Sequence, residues 1–327
     1  MWTANNNPCG KSYESGMQEA SAEVLRKNAV PDNGGRRKKP VKFHDRKKAR
    51  RRKNITLYAA LSLVGVMMVL PTMVMLLSSL KTYDDYYSLR FHFLPQERWA
   101  FDNYVRVFLS SENFLRWIGN TVLLMVSNTV ICTVSTSLVA YGFAKFRCRV
   151  SNAFFMILLA TMMIPWAVTM VPSYLLWAKL RLTDSFYPLV LPSIGGSAYY
   201  VFMFRQNMRG IPNEIMEAAE MDGANSLVRL FRIVLPNCIP VVVTMVLFTA
   251  MGIWGDYLGP LIYLRRPEKF NISLGLNMLR SQTTQGKQDT PMLLAASVLM
   301  AIPSIVLYFA GTKVFAKGIS LQGGVKG

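Results

Sequence analysis

The chain has 327 residues, 52% of them hydrophobic, with a mean hydropathy of +0.25 and a formal charge of +19. Only 17% are charged, against roughly 25% in soluble domains, and the apolar residues come in blocks of about twenty, the length that crosses roughly 30 Å of hydrocarbon. This pattern excludes an ordinary soluble globule, and the unpaired spacing of Cys9, Cys132, Cys148 and Cys238 argues against a disulfide framework or a metal site.

Residues 1–54 hold 15 Lys/Arg and 5 acids, a net of +10. Twelve of those bases fall in RRKKPVKFHDRKKARRRK, 36–53. Such a run suits nucleic acid. Here it abuts an apolar block, so the cytoplasmic excess of Lys/Arg beside membrane spans accounts for it and no nucleic-acid partner is expected. Contact with anionic lipid headgroups follows from the same charge. The composition predicts a disordered cytoplasmic tail over 1–54 and, after it, a membrane domain over 55–327. The first apolar run exceeds the about 7–15 residues of a signal-peptide core and has no small-residue cleavage site after it, so it reads as an uncleaved anchor.

Six blocks are predicted to span the membrane: Ile55–Leu80, Ile118–Phe143, Ala153–Pro172, Tyr187–Phe204, Cys238–Tyr263 and Pro291–Gly311. The fourth is the weakest, since Pro188, Pro192, Gly195 and Gly196 are poor helix formers, tolerated where membrane helices pack closely. With the basic N-terminus in the cytoplasm, six spans return the C-terminus there. The outer loop 81–117 balances 5 bases with 5 acids, and the inner loop 144–152 holds Lys145, Arg147 and Arg149 and no acid. The tail, with Lys313, Lys317 and Lys326, also agrees. The loop 264–290, placed outside, disagrees with 5 bases against 2 acids.

Between the fourth and fifth blocks lies GIPNEIMEAAEMDGANSLVRLFRIVLP, 210–236, too polar to span and too apolar for a solvated linker. Pro212 suits a first helical turn, Glu214 favours the positive helix end, and Met216 to Met221 are good helix formers. Gly223 permits the left-handed turn that stops a helix, and Asn225 or Ser226 caps the next. Leu227, Leu230, Phe231 and Val234 then form one apolar stripe, with Arg229 and Arg232 pointing elsewhere. Pro236 and Pro240 mark the entry to the fifth block. On physical grounds two readings stand: an interfacial connector, or a rigid knob that docks into a cytoplasmic partner through the small pair Ala218–Ala219.

The order Glu217-Ala218-Ala219, Gly223 six positions after the Glu, Ile233 ten after the Gly, then Leu235-Pro236, resembles the EAA loop that marks membrane subunits of binding-protein-dependent ABC importers. Asp222 and Ala224 complete the DGA form usual in the sugar-transporting, maltose-type branch. MIPWAVTMVPSYLLWAKLRLTDS (163–185), WGDYLGPLIYL (254–264) and KVFAKGISLQGGVKG (313–327) are similar to other stretches of that family. Gly255-Asp256 departs from it, standing where a Trp-Asn pair followed by an acid is common. The resemblance covers about 55–327. It implies an all-α integral membrane protein of the bacterial plasma membrane, with six transmembrane helices, both termini cytoplasmic and an EAA-type coupling helix between the fourth and fifth. It also implies a second permease subunit, two ATP-binding subunits and an extracytoplasmic solute-binding protein. The knob, about Ile211 to Ala224, would fit a cleft on one ATPase. No G-x-x-x-x-G-K-[ST] occurs, so no cofactor is expected on this chain, and ATP and Mg would sit on the partner ATPases.

Asp256 is the one acidic or basic residue inside any of the six blocks. Intramembrane acids usually face a cavity or a partner; it reads either as a solute contact or as a residue near the outer end of its span. Trp254 and Tyr257 flank it and suit the C–H patches and hydroxyls of a sugar, or an interfacial aromatic belt. Asn120 and Asn128 read as solute contacts or as bridges between helices. An ion-driven secondary transporter would need more intramembrane acids, histidines or broken helices; here His44 and His92 lie outside the blocks. A polytopic enzyme would need a convergent catalytic cluster, and Asp84 with Asp85 on an outer loop is too little.

Overall fold

The computed structural model describes the backbone of residues 43–88, 92–109, 111–145, 149–283 and 289–323. All regular structure among them is helical. Helix α1 is Phe43–Ser79, α2 Tyr83–Tyr86, α3 Asp102–Leu109, α4 Phe114–Lys145, α5 Arg149–Thr161, α6 Trp166–Lys179, α7 Tyr187–Val190 and α8 Ala198–Arg209. Then follow α9 Asn213–Met221, α10 Ser226–Arg229, α11 Leu235–Asn237, α12 Ile239–Trp254, α13 Leu258–Tyr263, α14 Ile272–Thr283 and α15 Thr290–Gly323. The chain divides into a unit of residues 1–68 and a larger one of 69–327. In the first, helical backbone reaches back to Phe43, ahead of the start expected at Ile55; residues 1–42 lie outside the described part.

Three stretches among the described residues are long and apolar enough to cross a bilayer: Asn54–Ser79, Phe114–Lys145 and Thr290–Thr312. Two further candidates are bent pairs, Val150–Thr161 with Trp166–Lys179 at 96° and Ser226–Asn237 with Ile239–Trp254 at 85°. The third predicted block is therefore broken where a continuous helix was expected. Pro165 stands before α6 in extended backbone, φ −62° and ψ 138°; it lacks an N–H, and its ring disfavours helical backbone at Ile164. The fourth block departs most. It gives the short α7, a 3₁₀ turn at Leu191–Gly195, and α8, none of spanning length. Gly196 sits at φ +69°, and a Cβ there would lie 3.3 Å from the Thr136 Cα and backbone N. The break thus presses backbone against α4, where Ser197 N–H donates to Thr136 Oγ1 at 3.3 Å and Ser193 donates to Asn128 Oδ1.

Helix α4 is the mast of the larger unit. Its buried positions, Thr121, Leu124, Asn128, Cys132, Thr136 and Ala140, recur every three or four residues, one face of a 3.6-residue helix. Against α4 pack α8, α12 and α14, while α12 and α3 pack on α15. Small hydroxyl residues bond their own helix, as Thr133 Oγ1 to Thr129 O at 2.6 Å and Ser137 Oγ to Thr133 O at 2.7 Å, which lets the seam pack closely; the buried Thr129 hydroxyl is left without a partner among the described residues.

Candidate coupling helix, polar end and cavity

At one end of the larger unit the core joins Phe155 of α5, Val201, Phe204 and Met208 of α8, Ile211, Met216 of α9, Leu230, Val234 and Cys238. Helix α9 is seated in it by Met216, and Ala219 is buried as well, while Ile215, Glu217, Ala218 and Met221 are exposed, Met221 to 89%. Pro212 stands one residue before α9, at φ −53° and ψ 141°, and not in its first turn as expected. The helix stops as the glycine predicts: Gly223 is at φ +78°, its N–H reaches Glu220 O at 3.0 Å, and Ala224 N–H reaches Ala219 O at 2.9 Å. These are the paired bonds of a Schellman turn. Asn225 caps α10, its side chain accepting from Val228 N–H at 2.9 Å. Arg229 then pairs with Glu220 at 2.6 Å, fastening α10 to α9 across the turn.

The predicted stripe after Asn225 holds only in part. Leu230 and Val234 are fully buried, but Leu227 and Phe231 are about half exposed, at 56% and 48%. The reason is a wider π-type turn over Leu230–Val234. It resets the helical period, and Cys238, four residues on, takes the next buried place. Ile233 and Leu235 are half-buried beside the cluster, and exposed Pro236 lies just before the 85° bend.

The opposite end of the unit is stitched by polar bonds between distant loops. Asp184 accepts from the Arg265 and Arg266 amides at 3.1 and 3.3 Å and from Arg266 Nε at 2.6 Å, while its own N–H donates to Tyr263 O at 2.7 Å. Lys269 donates to the Asp184 carbonyl. Burial pushes the Asp184 carboxyl up, but the Arg265 amide, the Arg266 side chain and amide and the Lys269 ammonium outweigh it and hold the group at about 2. Asn103, buried, donates to Ser79 O and Lys81 O, both at 2.9 Å, serving carbonyls that the end of α1 leaves open. Arg106 pairs with Asp289, and Arg266 also lies 3.5 Å from Glu268. Of the five bases in the loop 264–290, which conflicted with the charge rule, Arg266 and Lys269 are engaged by carboxylates at this end.

The four residues predicted along a solute path do not converge. Trp254 is buried between α12 and α15 and donates Nε1–H to Met300 O at 2.9 Å. Asn120 donates to Glu268 O and Phe270 O, each at 2.9 Å. Asp256 accepts from Gly259 N–H at 3.1 Å and so caps the start of α13, and its carbonyl accepts from Asn271. Tyr257 alone of the four lines a cavity of about 330 Å³, with Ser273, Asn277, Arg280, Ser297 and Met300. Sequence reading missed α14, which supplies three of these residues; its only signal was a run of apolar residues at helical spacing after Asn271. The described residues hold no cluster of three or more His, Cys, Asp or Glu able to bind a metal.

Comparison with known proteins fits this architecture. A family model described as binding-protein-dependent transport system inner membrane component matches residues 133–320. The arabinooligosaccharides transport system permease protein AraQ of Bacillus subtilis is 31% identical over 81% of this chain and 93% of its own. The maltodextrin transport system permease protein MdxG of the same organism is 28% identical over 85% and 98%. The lactose transport system permease protein LacG of Rhizobium radiobacter is 27% identical over 83% and 96%. Among solved structures, a crystal structure of a bacterial ABC transporter involved in the import of the acidic polysaccharide alginate shares the fold, with a TM-score of 0.72 at 24% identity over 82% of this chain and 98% of that one. A multi-pass membrane protein whose described residues are helical wherever they form regular structure, this chain belongs to the family of binding-protein-dependent transport system inner membrane components.

Proposed function

We propose that the chain is one permease subunit of an ABC importer of a carbohydrate, and that α9 with its Gly223 turn is the helix through which a partner ATPase drives it. The observation that carries this reading is α9 itself. It is rooted by Met216 and Ala219, stopped by a turn that fixes its end, and leaves Ile215 and Met221, 46% and 89% exposed, on a loop assigned to the cytoplasm. Large apolar side chains held rigidly toward water suit a protein partner. Residues Glu217, Ala218, Ala219, Asp222, Gly223 and Ala224 form this element, and Ile233, Leu235 and Pro236 tie it to the bend before α12. The sugar class is supported by the relatives named for arabinooligosaccharides, maltodextrin and lactose transport.

In this reading the chain crosses the membrane six times with both termini in the cytoplasm. The three continuous spans, the two bent pairs and the broken segment α7–α8 make the crossings. Residues 55–327 form the permease domain, and 1–54 a basic extension over anionic headgroups. A second permease subunit completes the path, an extracytoplasmic binding protein delivers the solute, and two ATPases below bind ATP and Mg. Closure of the ATPases draws the α9 levers together and tips the bundles outward. Tyr257 contacts solute in the cavity beneath α14, whose hydroxyl and amide groups suit a sugar; Trp254, Asp256 and Asn120 shape its surroundings through the bonds described above.

Copurification tests the reading. Tagged chain is expected to retain a P-loop ATPase from its own cells, and Gly223→Pro or Glu217→Arg is expected to release it while the chain stays in the membrane. An ion-gradient transporter would instead concentrate solute as this polypeptide alone; such uptake, with no ATPase retained, defeats the proposal.

A further inference from the structure

Buried face residues of α8 are Val201, Phe204, Arg205 and Met208, an apolar stripe with one cation in it. Arg205 is 8% exposed. Its guanidinium lies 3.7 Å over the ring of Phe155 in α5. Nε donates to Phe143 O in the last turn of α4 at 3.1 Å, and Nη2 donates to Asn152 Oδ1 in the first turn of α5, also at 3.1 Å. No carboxylate among the described residues lies within salt-bridge distance of it. The positive charge is held by an open carbonyl at a helix C-terminus, an amide oxygen and an aromatic face.

A buried cation without a carboxylate is costly, and an apolar side chain of similar volume often packs as well or better. Stability alone therefore does not explain Arg205. Its geometry does one thing an apolar residue cannot: it bonds three helices by directional contacts, α8 to the end of α4 and the start of α5. Those helices meet at the root of α9. Lys145, the last residue of α4, donates to Ile211 O at 3.3 Å, and Ile211 and Met216 share a cluster with Phe155, Phe204 and Met208. We infer that Arg205 is a positioning residue of the transport cycle: it clamps α4, α5 and α8 into one block, so that a displacement of α9 arrives at the far end of α4 undiminished. This rests on the reading of α9 as the coupling helix.

The test uses the purified complex with its partner permease and ATPases. Spin labels are placed at Glu214→Cys on α9 and Arg116→Cys at the far end of α4, the native cysteines replaced. With Arg205 present, the distance between labels is expected to be narrow and the same without nucleotide and after trapping with ATP and vanadate. Arg205→Met is expected to broaden or shift it on trapping and to cut the stimulation of ATP hydrolysis by the binding protein by about tenfold, within the range by which residues of a coupling network act; Arg205→Lys recovers part of both. A merely structural residue would leave stimulation per assembled complex unchanged. Wild-type distances and stimulation in Arg205→Met overturn the clamp. If that variant does not assemble, Asn152→Ala and Phe155→Leu decide by the same two readouts, and wild-type behaviour in both overturns it. Failure of the coupling reading looks different: the Glu214 label in the unmutated complex then keeps the same mobility whether or not the ATPases are trapped.

Discussion

At the scale of single residues, Asp184 shows how much one side chain can fasten. It stands at φ +57°, a left-handed conformation that costs a non-glycine residue about 1 kcal/mol or more, and it gathers bonds from Tyr263, Arg265, Arg266 and Lys269. With its folded pKa at about 2 and an ordinary value near 3.9, the carboxylate is favoured by folding. The stabilisation is fully present above about pH 4 and is lost as pH falls from there toward 2. Thermal unfolding in detergent is expected to show Asp184→Asn melting below wild type at pH 7, with the gap narrowing as pH drops below about 4; an equal gap at every pH contradicts the linkage. None of this was legible in the sequence. Asp184 was one residue of a quoted motif, and its partners lie some eighty positions away. Gly223 was legible, because a glycine between two helix-forming runs has few other uses.

Among helices, the long runs of apolar residues were read well, but of their breaks only the one in the fourth block, at Pro188, Pro192, Gly195 and Gly196, was signalled. Hydropathy counts side chains, whereas Pro165, the Leu230–Val234 turn and Gly196 act on the backbone. The stripe Leu227, Leu230, Phe231, Val234 assumed a uniform 3.6-residue period, and one wider turn moved two of the four to the surface. Helix α14 escaped notice for a related reason: its place is set by tertiary packing. A Cβ at Gly275 would fall 2.2 Å from the Trp117 ring, and Trp117 in turn donates to Pro267 O at 2.6 Å. Gly275→Ala is therefore expected to lower stability by about 1–3 kcal/mol through overpacking, read as a lowered melting temperature; an unchanged melt would mean that α14 is not seated on α4 as described.

At the largest scale, the unit of residues 69–327 has two chemically different ends joined by α4. One is held by cross-loop ion pairs and amide bonds, the other by an apolar cluster with α9 at its edge and Arg205 within it. In the proposed reading, the first end meets solute and its carrier and the second meets the motor. The sequence holds no G-x-x-x-x-G-K-[ST] motif, and in the proposed reading α9 is the grip through which an outside motor moves the chain. The most direct measurement is the sidedness and occupancy of that grip. With the four native cysteines replaced and Met221→Cys introduced, a membrane-impermeant maleimide is expected to label inside-out vesicles stripped of ATPase subunits. It is expected to leave intact spheroplasts unlabelled, and adding the ATPases back should protect the site. Labelling from the outer face of intact spheroplasts would contradict the account.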